Sequence, residues 1–159
     1  MANDSLHALI QQGLAAMKEG SKIAVEATAD IQEAATNPQL KAALEQDNEQ
    51  AKHWTLRIER SFEAAGSKGK EVNPILEAQY KISKRIRGEA PDDYSRDLGL
   101  IAAGQDALHY WIASFGAIGA YAEQAGLSQI AQDLRACLQE AKQADEQYTQ
   151  IAQQILRAN

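Results

Sequence analysis

Four long stretches of the chain repeat apolar residues at alternating spacings of three and four, and this pattern constrains the fold more than any other feature. It is the period of an α-helix that packs one face along a bundle. Alanine and glutamine are abundant and valine and threonine scarce, which favours helices over strands. Helix-breaking residues separate the stretches at Asn37-Pro38, Gly66, Asn73-Pro74, Gly88 and Gly126. The sequence therefore predicts an all-α protein.

The positions of the breaks predict the order of the helices. We predict them over about residues 5–36, 38–65, 74–86 and 93–124, and from 128 to near the end of the chain. The helix N-caps predicted are Asn37, followed by Pro38 at the first helical position, Ser128 for the last helix and Asn3, Asp4 or Ser5 for the first. The tight connections near Asn37 and Gly126 predict two antiparallel pairs, joined by the longer middle connection. This outline is that of a ferritin-like up-down four-helix bundle with a short extra helix in the crossover between the two hairpins. Residues 1–159 are predicted to form one such domain.

Composition excludes several classes of function. The net charge of −6 and a pI near 5.1 argue against nucleic-acid binding, which requires a basic face. One cysteine, Cys137, allows no intrachain disulfide, and we expect it to be a buried apolar side chain. No apolar run approaches the roughly 20 residues of a membrane span. The N-terminal MANDSLHALIQQ lacks the features of a secretory signal, so we expect a cytoplasmic protein without membrane association.

Ferritin-like bundles that bind two metal ions take a Glu from each of two helices and a Glu-x-x-His from each of the other two. No Glu-x-x-His occurs in this sequence, and the apolar stripes carry few acidic residues. The fallback candidates for metal ligands are Glu49, His53, His109 and Glu140. We expect Glu49 and His53 to face water or a neighbouring helix and His109 to lie at a helix interface. Asp47 and Asp145 lie on the stripes of their helices, and Asp145 is expected to accept a hydrogen bond.

Several motifs carry a resemblance to a known family. They are RIE from Arg57, FEAAG from Phe62, DLGLIAAGQ from Asp97, HY at 109–110, IASFG from Ile112, AEQAG from Ala122 and LQEAKQAD from Leu138. Together they resemble the bacterial YciE/YciF family of ferritin-like proteins over nearly the whole chain. The resemblance implies a four-helix bundle that forms a homodimer. It also implies a bacterial cytoplasmic protein associated with stress responses.

The departures from the family pattern affect its di-metal site. The family has Glu-His-Tyr-Glu in the third long helix, where this chain has Leu-His-Tyr-Trp at 108–111, and Glu-Glu-Lys in the fourth, where this chain has Glu-Ala-Lys at 140–142. The first-helix glutamate corresponds to Ser21, and the second-helix ligand region to residues 49–54. The resemblance thus implies that the former site positions are Ser21, Trp54, Leu108, Trp111 and Ala141. Few of the di-metal ligands survive there.

The combined prediction is a non-catalytic bundle that has lost its di-metal centre, needs no cofactor and has a structural or interaction role. We expect its interior to be apolar and neutral, with one large Trp offset by Ser and Ala so that the cavity is refilled. One alternative is a di-iron or di-manganese oxidoreductase with a rearranged site. Another is a small-ligand carrier, which a cavity lined by Trp54, Leu108 and Trp111 would favour. The sequence names no protein partner.

Overall fold

The computed structural model describes residues 2–158, with side chains from Asp4 onward, and consists of five α-helices. They are α1 Ala2–Ala34, α2 Pro38–Ala64, α3 Pro74–Glu89, α4 Asp93–Gln124 and α5 Ser128–Arg157. No strand occurs within residues 2–158. The helix bounds agree with the predicted ones to within three residues, and those of α4 are identical.

Short turns join α1 to α2 and α4 to α5, so that each pair forms an antiparallel hairpin. Contacts between α2 and α5, and between α1 and α4, close the four long helices into a bundle. Helix α3 lies in the crossover and packs on both α1 and α4. The predicted four-helix bundle with a short extra helix is therefore confirmed. Within the part of the chain described, no helix has the length and apolar character that crossing a membrane requires.

Two of the predicted helix caps are present. Asn37 Oδ1 accepts hydrogen bonds from the backbone N–H groups of Gln39 and Leu40, at 3.0 and 3.1 Å, and Pro38 is the first helical residue of α2. Gly126, which the sequence places at the end of this helix, follows α4 and has a left-handed backbone at φ +77°.

Two other cap predictions are wrong. Helix α1 is already helical at Ala2, so Asn3, Asp4 and Ser5 lie inside its first turn. Ser128 is the first residue of α5, and Leu127 occupies the cap position without a side-chain hydrogen bond. The reason is the tight turn, in which the Leu127 N–H donates back to the Ala122 carbonyl at 2.8 Å. Helix α5 therefore begins immediately after Leu127.

A buried carboxylate fastens one end of the bundle. Asp97 on α4 is 3% exposed and accepts hydrogen bonds from Thr36 N at 2.9 Å, Thr36 Oγ1 at 2.8 Å and Asn37 N at 2.7 Å. These donors belong to the turn between α1 and α2. Two of them are backbone N–H groups that no helix satisfies. The hydrogen bonds therefore satisfy these groups of the turn and also compensate the burial of the Asp97 carboxylate.

Helix α3 is wedged between α1 and α4, and two glycines allow its close approach. A Cβ on Gly20 would lie 2.5 Å from Asn73 Nδ2 and 2.8 Å from Leu76 Cδ1, and a Cβ on Gly99 would lie 2.8 Å from Ile86 Cγ2. Any larger residue at either position would push α3 away from the long helices. The close packing of α3 on both long helices therefore depends on these two glycines.

The side chain of Asn73 fixes the start of α3. Its Oδ1 accepts a hydrogen bond from Leu76 N at 3.1 Å. Its Nδ2 donates to the Ala16 carbonyl at 3.0 Å and to Tyr110 Oη at 2.7 Å. One buried amide thus caps α3 and bonds it to both α1 and α4, so Asn73 has little freedom to move.

Most of the largest fully buried side chains lie in the half of the bundle that does not contain α3. They are Ile10, Leu14, Met17, Ile58, Phe115, Leu134 and Cys137. Burial raises the pKa of the Cys137 thiol to about 11, in agreement with the predicted role of an unreactive apolar side chain. This half has a dense core.

We expect Gly20→Ala to destabilise the protein and Gly104→Ala to stabilise it. The Gly20 Cβ would collide with an Asn73 side chain held by three hydrogen bonds, at a cost of about 1–3 kcal/mol that exceeds the gain in helix propensity. Gly104 has nothing within 4 Å of an added Cβ, so only the gain of roughly 0.5–1 kcal/mol remains. Urea denaturation of both variants measures these changes. Equal effects of the two substitutions would contradict the close contact between α3 and α1 at Gly20.

Candidate functional site

The former site positions all lie in the interior of the bundle. They are Ser21, Trp54, Leu108, Trp111 and Ala141. The Ser21 hydroxyl donates to the Lys18 carbonyl of its own helix at 2.8 Å. The other four side chains offer no carboxylate or imidazole. None of the five therefore provides a ligand that a divalent metal ion prefers.

Aromatic rings occupy the space between α2 and α4 at this level. The Trp54 ring meets Trp111 edge-on, with centroids 6.1 Å apart, and meets Phe115 in the same way at 5.3 Å. Trp111 stacks on Phe115 at 5.1 Å. Such pairs add roughly 0.5–1.5 kcal/mol each beyond the burial of their area. The rings form a compact cluster where the resemblance places metal ligands.

Glu140 on α5 is committed to protein donors. Its Oε2 atom accepts hydrogen bonds from Arg57 at 2.6 Å and from Gln50 Nε2 and Trp54 Nε1 at 2.8 Å each. The bond to Glu140 raises the pKa of Arg57. All three donors come from α2, so this carboxylate joins α2 to α5 as an acceptor.

The other fallback candidates lie on the surface. Glu49 is 65% exposed and pairs with Lys52 at 2.5 Å, and His53 is exposed as well. His109, also 65% exposed, bonds through Nε2 to Asp145 Oδ2 at 3.1 Å and so bridges α4 to α5. The expectations for Glu49, His53, His109 and Asp145 are confirmed. Over the described residues no group of three or more His, Cys, Asp and Glu side chains is arranged to hold a metal ion.

A cavity of about 110 Å³ lies beside the aromatic cluster, in the half of the bundle that contains α3. Trp54, Leu108 and Trp111 form one end of its wall, and aliphatic side chains from α1, α2, α3 and α4 form most of the rest. The aromatic rings refill the interior at the former site positions, whereas a void remains beside them. The void lies where several wall positions of α1 and α4 are alanine or glycine: Ala24, Ala27, Ala103, Gly104 and Ala107.

The cavity wall includes one carboxylate, Asp47 of α2. Tyr148 of α5, which also lines the cavity, donates its hydroxyl to Asp47 Oδ2. Burial raises the pKa of Asp47 to about 6, although the Tyr148 hydrogen bond acts in the opposite direction. The pKa of Tyr148 is raised as well, by burial first and by the neighbouring Asp47 charge second. The expectation of a wholly neutral interior is wrong at this point.

Comparison with known proteins agrees with this architecture. The family model described as "Domain of unknown function (DUF892)" matches residues 3–159. The chain belongs to this family. It is 30% identical over 128 residues to Protein YciF of Escherichia coli strain K12, a match that covers 79% of this chain and 77% of that protein. The resemblance to the YciE/YciF family is thus confirmed.

Solved structures of related proteins share the fold of this DUF892 chain. The crystal structure of the E. coli stress protein YciF matches with a TM-score of 0.91 and 26% identity, over 97% of this chain and 98% of that one. YcfI, described as a putative structural protein from Rhodopseudomonas palustris, matches with a TM-score of 0.85 and 28% identity, over 91% and 92% of the two chains. The ferritin-like fold is therefore confirmed.

Sequence reasoning offered the cavity only as an observation that would favour the carrier alternative, and it did not find the pairing of Asp47 with Tyr148 in this member of the DUF892 family. One signal was available, because Asp47 is an acidic residue on an otherwise apolar helical stripe. A second was the number of small residues at facing positions of the first and third long helices. Neither signal shows how far apart two helices lie, which decides whether small residues pack or leave a void.

We expect Asp47→Asn to change how stability depends on pH. The folded wild type keeps the Asp47 proton up to about pH 6, whereas the unfolded chain releases it near 3.8. Since the folded state binds more protons in this interval, its free energy of unfolding falls as pH rises, by about 3 kcal/mol in total. The stability of Asp47→Asn relative to wild type should therefore increase by about that amount between pH 4 and pH 7.5.

Urea denaturation across this pH range is the measurement. Tyr148→Phe is the matched variant, because it removes the hydrogen bond that lowers the Asp47 pKa. We expect it to move the loss of stability to higher pH. Parallel pH profiles for wild type and Asp47→Asn would show that the carboxylate is not desolvated.

Proposed function

We propose that this protein is a non-catalytic ferritin-like bundle that has lost its di-metal centre and has a structural or interaction role. The observation that carries the proposal is the packing of Trp54, Trp111 and Phe115 at the level of the former site. Rings in direct contact leave no room between them for two metal ions with their carboxylate ligands. No catalytic residue is assigned.

The electrostatics support the same proposal. A buried carboxylate that loses its metal ion costs several kcal/mol unless another partner compensates it. Replacement by Leu108, Trp111 and Ala141 removes that cost, since these side chains gain from burial. Glu140, which remains, accepts three hydrogen bonds from α2 and so does not depend on a metal ion.

The descriptions of the relatives agree with a role of this kind. One solved relative is called a stress protein and the other a putative structural protein. We therefore propose a stress-associated function for this chain, in the cytoplasm. The metalloenzyme alternative has less support, because Glu49 and His53 are exposed while Glu140 is bonded to Arg57.

A specific observation favours the small-ligand carrier as a second candidate function. Trp54, Leu108 and Trp111, the three residues whose presence in a cavity wall would favour this alternative, all line the cavity of about 110 Å³. Cavities between the helices of bundles are common binding sites for small molecules. Scaffold and carrier roles do not exclude each other, because the cavity lies between the helices and interaction surfaces lie on the outside of the bundle.

Elemental analysis tests the loss of the di-metal centre. The full chain, expressed with added iron or manganese and then desalted, should hold far less than one metal ion per chain. Near-stoichiometric metal that disappears in Glu140→Gln would overturn the proposal in favour of the metalloenzyme. The matched control is Glu123→Gln, since Glu123 also pairs with an arginine, Arg135, but lies on the surface. Metal lost equally from both variants would indicate surface binding.

We also propose that the protein is a homodimer that pairs through α3. Ile75 and Ile82 are seven residues apart on this helix and exposed, and Val72 lies exposed just before it. Light scattering of the protein as it elutes from a size-exclusion column should give twice the mass of one chain. Ile75→Glu/Ile82→Glu should give a monomer, whereas Leu56→Glu, at an equally exposed residue of α2, should remain dimeric. A monomeric wild type would contradict the proposal.

A further inference from the structure

We propose that the cavity binds a compact apolar molecule bearing a primary ammonium group, whose body contacts Trp54 and Trp111 and whose charge pairs with Asp47. This inference rests on the proposed carrier function and specifies its ligand. Nothing in the family description or in the names of the relatives assigns such a site.

The size of the cavity sets the size of the ligand. An apolar cavity of roughly 150 Å³ in a protein core binds benzene. The cavity here, at about 110 Å³, is of the same order and accommodates a compact body such as a five-carbon ring. Its wall is mainly aliphatic and aromatic, so burial of a hydrocarbon body there is favourable.

The charged group on the cavity wall determines the sign of the charge that a bound ligand carries. Asp47 is the one acidic side chain among the residues that line the cavity, and no Lys, Arg or His is among them. The only hydrogen bond described for this carboxylate comes from the neutral Tyr148 hydroxyl. Ionised at pH 7.5, Asp47 therefore attracts a cation and repels an anion within the apolar wall.

The hydrogen-bonding groups of the wall point to the same class of ligand. Gln79 Oε1 on α3 is buried and has no hydrogen-bond partner in the described structure. The hydroxyls of the wall already donate within the protein, those of Thr28 and Ser83 to carbonyls of their own helices. The Tyr80 and Tyr148 hydroxyls donate to Asp30 and Asp47. The Asp47 carboxylate and the Gln79 amide oxygen thus remain available as acceptors in the wall, and an ammonium group supplies donors to acceptors of this kind.

Probes that share one hydrocarbon ring separate the effect of charge from that of hydrophobicity. Cyclopentylamine, cyclopentanol and cyclopentanecarboxylate share one ring and differ in the polar group. The two tryptophans of the chain, Trp54 and Trp111, both line the cavity, so intrinsic fluorescence reports its occupancy without a label. The titrations use the full chain at pH 7.5, with ¹H–¹⁵N NMR shifts to locate the binding site.

We expect cyclopentylamine to bind about tenfold or more tightly than cyclopentanol, because a charge-assisted hydrogen bond replaces a neutral one. Cyclopentanecarboxylate should not bind detectably. In Asp47→Asn the amine should lose its advantage over the alcohol. Asp145→Asn, the matched control, removes a carboxylate that lies outside the cavity wall and should keep the advantage.

A second pair of variants tests the location. Ala107→Leu extends a side chain into the cavity and should abolish binding of both the amine and the alcohol. Ala113→Leu, at an exposed position of the same helix, should leave both affinities unchanged. Binding that survives Ala107→Leu overturns the proposed site.

The outcomes distinguish the ligand class from the carrier function. Equal affinities for amine and alcohol, or an amine advantage that persists in Asp47→Asn, would overturn the ammonium ligand and leave a carrier of neutral apolar molecules. Failure of every probe to change either the fluorescence or the NMR spectrum would overturn both.

Discussion

A carboxylate inside a bundle of helices must be hydrogen-bonded, paired or protonated, because transfer of its charge out of water costs several kcal/mol. Three of the carboxylates of this chain show different degrees of compensation. Asp97 accepts three hydrogen bonds at the turn between α1 and α2. Glu140 accepts three bonds from α2, one of them from Arg57. Asp47 has the Tyr148 hydroxyl alone, and its pKa rises to about 6. Asp97 and Glu140 therefore stabilise the fold, whereas the burial of Asp47 lowers its stability.

The place of α3 explains why the least compensated carboxylate lies beside the cavity. The helix is in contact with α1 at Gly20 and with α4 at Gly99, so it packs on both long helices in one half of the bundle. In the other half, α1 and α4 contact each other directly at Gly13 and Ile118, and the core there is dense. Two rings of the aromatic cluster, Trp54 and Trp111, line the cavity without filling it.

The features that were predictable from the sequence have local signals. Helix spacing, the Asn-Pro pairs and the glycines gave the element order, and the motifs of α4 and α5 gave the family. The partners of Glu140 were not predictable, since Arg57 lies 83 residues earlier and Gln50 lies 90 residues earlier. The cavity was not predictable either, because it depends on the distance between α1 and α4. The cap at Ser128 failed for a related reason, as the backbone of the Gly126 turn decides where α5 begins.

The retention of Asp47 has a consequence for binding. Folding has already removed water from this carboxylate, at the cost of about 3 kcal/mol that its raised pKa represents. A cation that enters the cavity therefore meets a charge that need not be desolvated again, and it relieves a penalty that the free protein carries. Groups that destabilise the fold while they face a cavity are typical of binding and catalytic sites. Substitution of Asp47 by a neutral residue would stabilise the protein at neutral pH, so the acid is better explained by what the cavity holds than by the packing around it.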